Sequence, residues 1–280
     1  EAVPRLARLD SELVRRGLAR SRQQAAELIA EGRVMVRGVA ASKAATSVEI
    51  DAPVIVRKDE GPEWASRGAL KLVGALAAFE PLGLSVTGRR CLDAGASTGG
   101  FTDVLLHRGA ARVVAADVGY GQLVWRLRTD ERVEVLDRTN VRSLTPEAIG
   151  GQVSLTVADL SFISLRTVFP ALTACTETTG DLVPMVKPQF EVGRRRLGPG
   201  GVVREPELRV AALREVTAAA AALGWFPRGA VASPAPGPAG NVEYFLWLST
   251  GRPADQQAAE PEPEQNVDAM LERAVQEGPQ

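Results

Sequence analysis

The stretch CLDAGASTGGFTDVLLHRGA, residues 91–110, decides the fold. Its first residues read as a core strand with Asp93 near the end. Small residues follow, and Phe101 then opens a helical stretch. Strand, small-residue loop and helix in that order make a ligand-binding turn. Small side chains let a ligand approach backbone N–H groups closely. The helix N-terminus adds unsatisfied N–H groups and positive potential. No Gly-Lys-Ser/Thr follows, so this is not a phosphate loop, and the glycines do not form a clean GxGxxG. The spacing DxGxxxGG suits the methionine end of S-adenosylmethionine better than a pyrophosphate, although a glycine-rich loop alone does not select one cofactor.

Downstream, the segments ARVVAADVG and RVEVLDRTN read as strands that reach Asp117 and Asp137. An acid about twenty residues beyond the first loop is placed to hold a ribose hydroxyl pair, and Asp137 is placed to meet an adenine amino group. Taken singly, each aspartate also fits a turn or helix cap. VSLTVADLSF and GDLVPMVKPQF are nearly continuous apolar runs, as parallel strands covered on both faces require. A helix is expected from Leu165 to about Cys175, a long one over PELRVAALREVTAAAAALGW, and a late strand over NVEYFLWLS. This alternation predicts a doubly wound α/β sheet over residues 67–250, with ligands outside the carboxyl ends of its strands.

Upstream, residues 5–58 read as a small α+β module. A helical stretch spans Arg8 to Arg16, and Ser21 caps a second helix, Arg22 to Ala30. RVMVRG forms a strand that stops at Gly38, and PVIVRK forms a further short strand. Residues 59–66, DEGPEWAS, read as a linker. Residues 251–280 read as an acidic, flexible tail with a short amphipathic helix over VDAMLERAVQEG.

The net charge of -1 conceals a segregation. Between Arg5 and Lys43 nine Arg and Lys face four acids, a net of +5, while residues 251–280 carry two Arg against seven acids, a net of -5. The basic module argues for nucleic acid. Two cysteines, Cys91 and Cys175, and a lone histidine, His107, argue against a Cys/His zinc site and Ser–His–Asp chemistry. No apolar run approaches the ~18–20 residues that cross a bilayer. The opening EAVPRLARLD has no signal-peptide pattern, so a cytoplasmic protein is expected.

Four further residues carry the chemical argument. Asp159 ends the strand in TVADLSF, and Lys187 ends that in PMVKPQFE. Glu243 precedes a strand in GNVEYFLW, and Lys71 lies in the helical stretch SRGALKLVGAL. A lysine closing a buried strand is costly without a purpose. Lys71 alone would read as a solvated helix residue.

At these residues the chain resembles the TlyA (haemolysin A-like) family of ribosomal RNA 2′-O-methyltransferases, over roughly residues 8–250. The resemblance rests on RLDSELVRRGLARSRQQAAELIAEGRVMVRG, SRGALKL, LDAGASTGGFTDVLL, ADVGYGQL, DRTN, ADLSFISL, VKPQFEVG and GNVEYFLWL, in that order. It implies a Rossmann-like methyltransferase sheet joined to an RNA-binding module like that of ribosomal small-subunit protein four. It implies a catalytic tetrad at Lys71, Asp159, Lys187 and Glu243, with S-adenosylmethionine contacts at Asp93, Gly95, Ser97, Gly99, Asp117 and Asp137. Together with local charge it suggests RNA contacts at Arg8, Arg20, Arg22 and Lys43, a cytidine target and ribosomal subunits as substrate.

As a mechanism, Lys187 is expected nearest the ribose hydroxyl with Asp159 orienting it, while Lys71 and Glu243 hold the sugar; if Lys187 is the base, a nearby Lys71 would help to depress its pKa. No metal is needed. Three other readings remain at this stage. A non-catalytic RNA-binding assembly factor would keep the fold without a product. A nucleotide-dependent dehydrogenase would use the same kind of sheet with NAD. A membrane-active protein would need an inserting segment, which the sequence does not offer.

Overall fold

The computed structural model describes residues 5–57, 62–251 and 264–279. Parts of the expected linker (59–61) and tail (252–263) lie outside them. The chain divides into two compact units, one ending at Glu63 and one beginning at Trp64.

In the N-terminal unit β1 (Leu6–Arg8) leads into α1 (Leu9–Arg15) and α2 (Arg22–Ala30). The short strands β2 (Val34–Val36), β3 (Val39–Ala40), β4 (Ser47–Glu49) and β5 (Val54–Val56) follow. β1 pairs antiparallel with β4, and β3, β2 and β5 form a second antiparallel sheet. Leu9, Leu13, Ala25, Leu28, Ile29, Val34 and Val48 make the core. Ser21 caps α2, its hydroxyl accepting the Gln24 N–H at 3.1 Å. The strand stops before Gly38 as expected, and the chain turns back there into β3. Arg37 and Gly38 both have positive φ, 51° and 81°, and Val36 pairs with Val39, giving a two-residue hairpin whose twist matches its strands. Arg16 staples the unit. Its guanidinium donates to the carbonyls of Ile50 and Ala52 at 2.6 and 2.7 Å and to Glu12 at 2.6 Å.

The second unit begins with α3 (Gly68–Phe79). Then come β6 (Arg90–Ala94), α4 (Gly100–His107), β7 (Arg112–Ala116), α5 (Trp125–Arg128), β8 (Val133–Leu136) and β9 (Val153–Ala158). After these follow α6 (Leu165–Cys175), β10 (Thr176–Val186), α7 (Pro188–Glu191), α8 (Pro206–Ala221), β11 (Phe226–Ala232), β12 (Tyr244–Ser249) and α9 (Glu264–Gln276). The sheet order is β11-β12-β10-β9-β6-β7-β8. The five strands from β10 to β8 are parallel, and β12 runs antiparallel to both its neighbours. Alternate strand residues feed two cores. Leu92, Val114 and Leu246 pack with α6, α8 and α9, while Cys91, Val113 and Phe245 pack with α3 and α4. The chain runs outward from β6 to β8, then returns to β9 on the other side of β6. That reversal opens a crevice beyond the carboxyl ends of β6 and β9, where ligands bind in such sheets.

Three features depart from simple sequence reading. β11 was not anticipated, because Pro227 and Gly229 interrupt its apolar pattern; both are tolerated in an edge strand. Trp64, Ala65 and Ser66, read as the end of the linker, lie along α4. Trp64 meets His107 edge to face at 5.3 Å, the Ala65 N–H donates to Asp103 at 2.8 Å, and a Cβ on Gly100 would overlap the Ser66 hydroxyl. The terminal helix α9 starts three residues before the expected stretch and buries Leu271, Ala274 and Val275 against α8 and β11. Arg214 fastens its outer face to Asp268 and Glu272 at 2.7 and 2.8 Å.

Candidate active site

The turn after β6 is held by its own residue types. Gly95, Ser97 and Gly99 all take positive φ, at 88°, 49° and 104°. A Cβ on Gly95 would overlap the carbonyl oxygen of Asp159, so only glycine lets the β6 and β9 turns meet. Gly99 opens α4 in the left-handed region, and no side chain caps that helix.

Three aspartates stand at successive strand ends. Asp93 is fully buried and accepts a hydrogen bond from the Thr102 hydroxyl at 2.7 Å. Its Oδ1 has no partner among the described residues. Burial pushes its pKa up to about 7. Asp117 accepts the Ser97 N–H at 2.8 Å and the Gly119 N–H at 2.7 Å, so it ties the β6 turn to the β7 turn. Asp137 is paired with Arg128 and accepts the Gly121 N–H at 3.4 Å.

The second group of residues comes from four elements. Lys71 projects from α3, Asp159 follows β9, Lys187 follows β10 and Glu243 precedes β12. Strand register aligns the last three. Val186 faces Tyr244 and Pro184 faces Ala158, so Asp159, Lys187 and Glu243 all leave the sheet at one edge. Lys187 Nζ lies 2.6 Å from Asp159 Oδ1, and Lys71 Nζ lies 2.5 Å from Glu243 Oε2. Each lysine therefore has a carboxylate as its neighbour, and the expected placing of Asp159 beside Lys187 matches the first pair. Lys187 and Glu243 are buried, at 7% and 1% exposure. A buried charge left without its partner costs several kcal/mol, so both pairs matter to the fold as well as to any chemistry.

The surroundings press on Glu243. A Cβ on Gly237 would lie 2.6 Å from its Oε1, which has no partner among the described residues. The Ser233 N–H donates to the Glu243 carbonyl at 2.8 Å. A Cβ on Gly74 would lie 2.6 Å from the Pro234 ring, so α3 and the loop after β11 pack closely.

Residues not singled out from sequence complete the site. Ser161 accepts a second hydrogen bond from Lys187, at 3.0 Å. Glu191 is buried beneath the turn, where it accepts from the Ser164 hydroxyl at 2.6 Å and the Leu165 N–H at 2.8 Å; burial raises its pKa. It thus anchors the start of α6 and with it the segment that carries Asp159 and Ser161. Asn241 accepts the Val203 N–H at 2.9 Å and donates to the Gly201 carbonyl at 3.0 Å, fixing the loop after α7. Ser161 and Asn241 both lie inside quoted motifs, but only tertiary contacts reveal what they hold. Phe162 is 91% exposed with a φ of 64°, its ring 5.2 Å from that of Phe190.

Of the basic residues proposed for RNA, Arg8, Arg20, Arg22 and Lys43 are all exposed on the N-terminal unit. Arg8 and Arg22 share Asp10, at 2.9 and 3.0 Å.

A family model described as FtsJ-like methyltransferase matches residues 64–250, and one described as S4 domain matches residues 7–52. The chain is 60% identical over 277 residues to the 16S/23S rRNA (cytidine-2′-O)-methyltransferase TlyA of Mycobacterium tuberculosis, covering 99% of this chain and 100% of that one. It is 36% identical to Hemolysin A of Brachyspira hyodysenteriae, over 85% of this chain and 98% of that one. The solved structure of a "putative hemolysin" from Streptococcus thermophilus superposes with a TM-score of 0.70 at 37% identity, covering 99% of this chain and 98% of the other. Among the described residues no helix is long and apolar enough to cross a membrane.

Proposed function

The chain belongs to the FtsJ-like methyltransferase family, and from that premise we propose that it transfers a methyl group from S-adenosylmethionine to the 2′-hydroxyl of a cytidine ribose in ribosomal RNA. The observation that carries this reading is the pairing of Lys187 with Asp159 and of Lys71 with Glu243 at the sheet edge that also holds the glycine turn.

S-adenosylmethionine supplies an electrophilic methyl group on a sulfonium, and the residues present fit it. Asp93 keeps a buried, unpartnered carboxyl oxygen beside a turn of small residues, which suits a cationic ligand end. Asp93, Gly95, Ser97 and Gly99 would hold the methionine end. Asp117 would hold the ribose: each carboxylate oxygen has two acceptor positions, so its bonds to Ser97 and Gly119 leave capacity. Asp137 would meet the adenine edge while keeping Arg128.

A ribose hydroxyl is a weak nucleophile near neutral pH, so the protein must place its oxygen in line and favour loss of its proton. Lys187 has three N–H donors. Asp159 and Ser161 occupy two, which leaves the third for the 2′-oxygen. That bond strengthens as negative charge develops on the oxygen, and the hydroxyl proton passes to water, since a Lys187 that donates all three hydrogens cannot take it up. Asp159 fixes the direction of the lysine, and Lys71 with Glu243 holds the sugar.

The basic N-terminal unit docks ribosomal RNA within a ribosomal subunit through Arg8, Arg20, Arg22 and Lys43. Folded RNA is read mainly by shape and backbone, which suits such a surface. The site of action is then the cytoplasm. Incubation with labelled S-adenosylmethionine and purified small or large subunits, followed by mass mapping, tests the reading. A single methyl on a cytidine ribose is the expected product. Label on neither subunit, or on a base, would overturn it.

A further inference from the structure

Within the basic N-terminal unit one buried carboxylate stands among the cations. Asp10 lies in the first turn of α1 and is 4% exposed. By charge alone it works against binding a polyanion. Its contacts show what it does instead. Asp10 Oδ1 accepts from Arg8 Nε at 3.1 Å and from the Ser11 N–H at 2.8 Å. Asp10 Oδ2 accepts from Arg8 Nη2 at 2.9 Å and from Arg22 Nη2 at 3.0 Å. One oxygen thus joins a guanidinium from β1 to one from the start of α2.

We propose that Asp10 is a positioning residue for RNA binding, locking Arg8 and Arg22 side by side so that their outward N–H groups meet the phosphate backbone already ordered. The proposal rests on the reading that these arginines dock RNA.

Exposure supports it. The side chains of Arg8 and Arg22 remain 50% and 59% exposed although both are held. A guanidinium has five N–H donors in a rigid fork, and Asp10 takes two from Arg8 and one from Arg22. Most donors still face outward. Glu12 provides a contrast in the same helix. It is equally buried and also holds two arginines, Arg15 and Arg16. Arg16, however, turns two further donors onto the carbonyls of Ile50 and Ala52, so that arm of the arrangement serves the fold.

The physical gain is entropic. A free arginine loses rotamer freedom when it grips a phosphate. Arginines already held lose less. The two guanidinium groups keep the Asp10 carboxyl well below the ordinary carboxylate range, so the clamp persists at any working pH.

The test measures binding of the full-length protein to purified ribosomal subunits at about 0.1 M salt, where phosphate contacts dominate. Arg8→Ala/Arg22→Ala comes first and should weaken binding on the order of ten-fold or more. If it does not, the docking reading itself fails. If it does, Asp10→Asn decides. Ordering predicts affinity lower by about five-fold, despite the loss of a negative charge. Unchanged or tighter binding would overturn the proposal. In the Arg8→Ala/Arg22→Ala background the same substitution should have no further effect; an undiminished loss there would mean that Asp10 only supports the fold. Should Asp10→Asn fail to fold, Arg8→Lys/Arg22→Lys replaces it. That variant keeps both charges but loses the forked pairing, so weaker binding is expected and wild-type binding would refute the clamp.

Discussion

Lys71 and Glu243 are separated by 172 positions in the chain, and their charged atoms lie 2.5 Å apart. The contact joins α3, before the first strand of the sheet, to the loop that leads into the last. Lys71 is 12% exposed and Glu243 1%, so neither charge has water to fall back on. Removing one partner strands the other.

Glu243→Ala should therefore lower stability by about 3 kcal/mol as well as abolish methyl transfer. Glu243→Gln keeps the shape and should retain more stability while still losing turnover. Urea unfolding of the two variants checks this. A wild-type midpoint for Glu243→Ala would show that the pair contributes nothing to the fold.

Lys187→Ala should remove methyl transfer while S-adenosylmethionine still binds, since the glycine turn and its aspartates are untouched. Lys187→Arg should not restore turnover. The planar guanidinium cannot reproduce three tetrahedral donors shared among Asp159, Ser161 and a substrate oxygen. Single-turnover kinetics beside calorimetric cofactor titration separates the two effects. Substantial turnover by the alanine variant would remove Lys187 from the chemistry.

Asp93 predicts a pH dependence. Burial raises its pKa from 3.8 to about 7 in the folded chain. Below 3.8 folded and unfolded forms are both protonated, and its burial carries no charge penalty. As pH rises through this window the unfolded state ionises first, so stability falls until about pH 7 and then levels off, a loss on the order of 4 kcal/mol. A cationic ligand beside the ionised carboxylate reverses the trend, so S-adenosylmethionine should stabilise the protein more at about pH 8 than at about pH 6. Asp93→Asn should flatten both profiles. Thermal melts across that range are sufficient, and parallel curves for wild type and variant would reject the assignment.

Leu271→Ala tests the terminal helix. Leu271 is 1% exposed within the core shared by α6, α8 and α9. Losing its side chain should cost about 2–5 kcal/mol, as for other buried leucines. Denaturant unfolding gives the value, and a change below about 0.5 kcal/mol would mean that α9 leaves the core readily.

The strand, turn and helix at residues 91–110 were legible because they combine a short apolar run, residues small enough for positive φ, and helical periodicity in one window. The uninterrupted apolar runs ending near Asp159 and Lys187 were legible for a similar reason: parallel strands need apolar residues on both faces. β11 was not, since Pro227 and Gly229 hide an edge strand from any alternation test. Asp159 beside Lys187 was legible from their strand ends, but the pairing of Lys71 with Glu243 was not. Residue types at strand ends mark where chemistry gathers, but which carboxylate meets which lysine depends on how α3 lies over the sheet. Ser161 and Glu191 stayed hidden because their partners, Lys187 and the start of α6, are 26 positions away in sequence. In the sequence Asp10 is one acid among cations, and a charge sum cannot distinguish an acid that opposes its neighbours from one that orders them.

β12 enters the sheet at the edge where the other six strands leave it. A residue upstream of that strand can therefore work shoulder to shoulder with residues downstream of the others. The sequence order of the four polar groups is thereby uncoupled from their arrangement in space. The segment 233–243 therefore sets the height at which that carboxylate arrives, and a change of length there would move Glu243 off its rung without rethreading any strand.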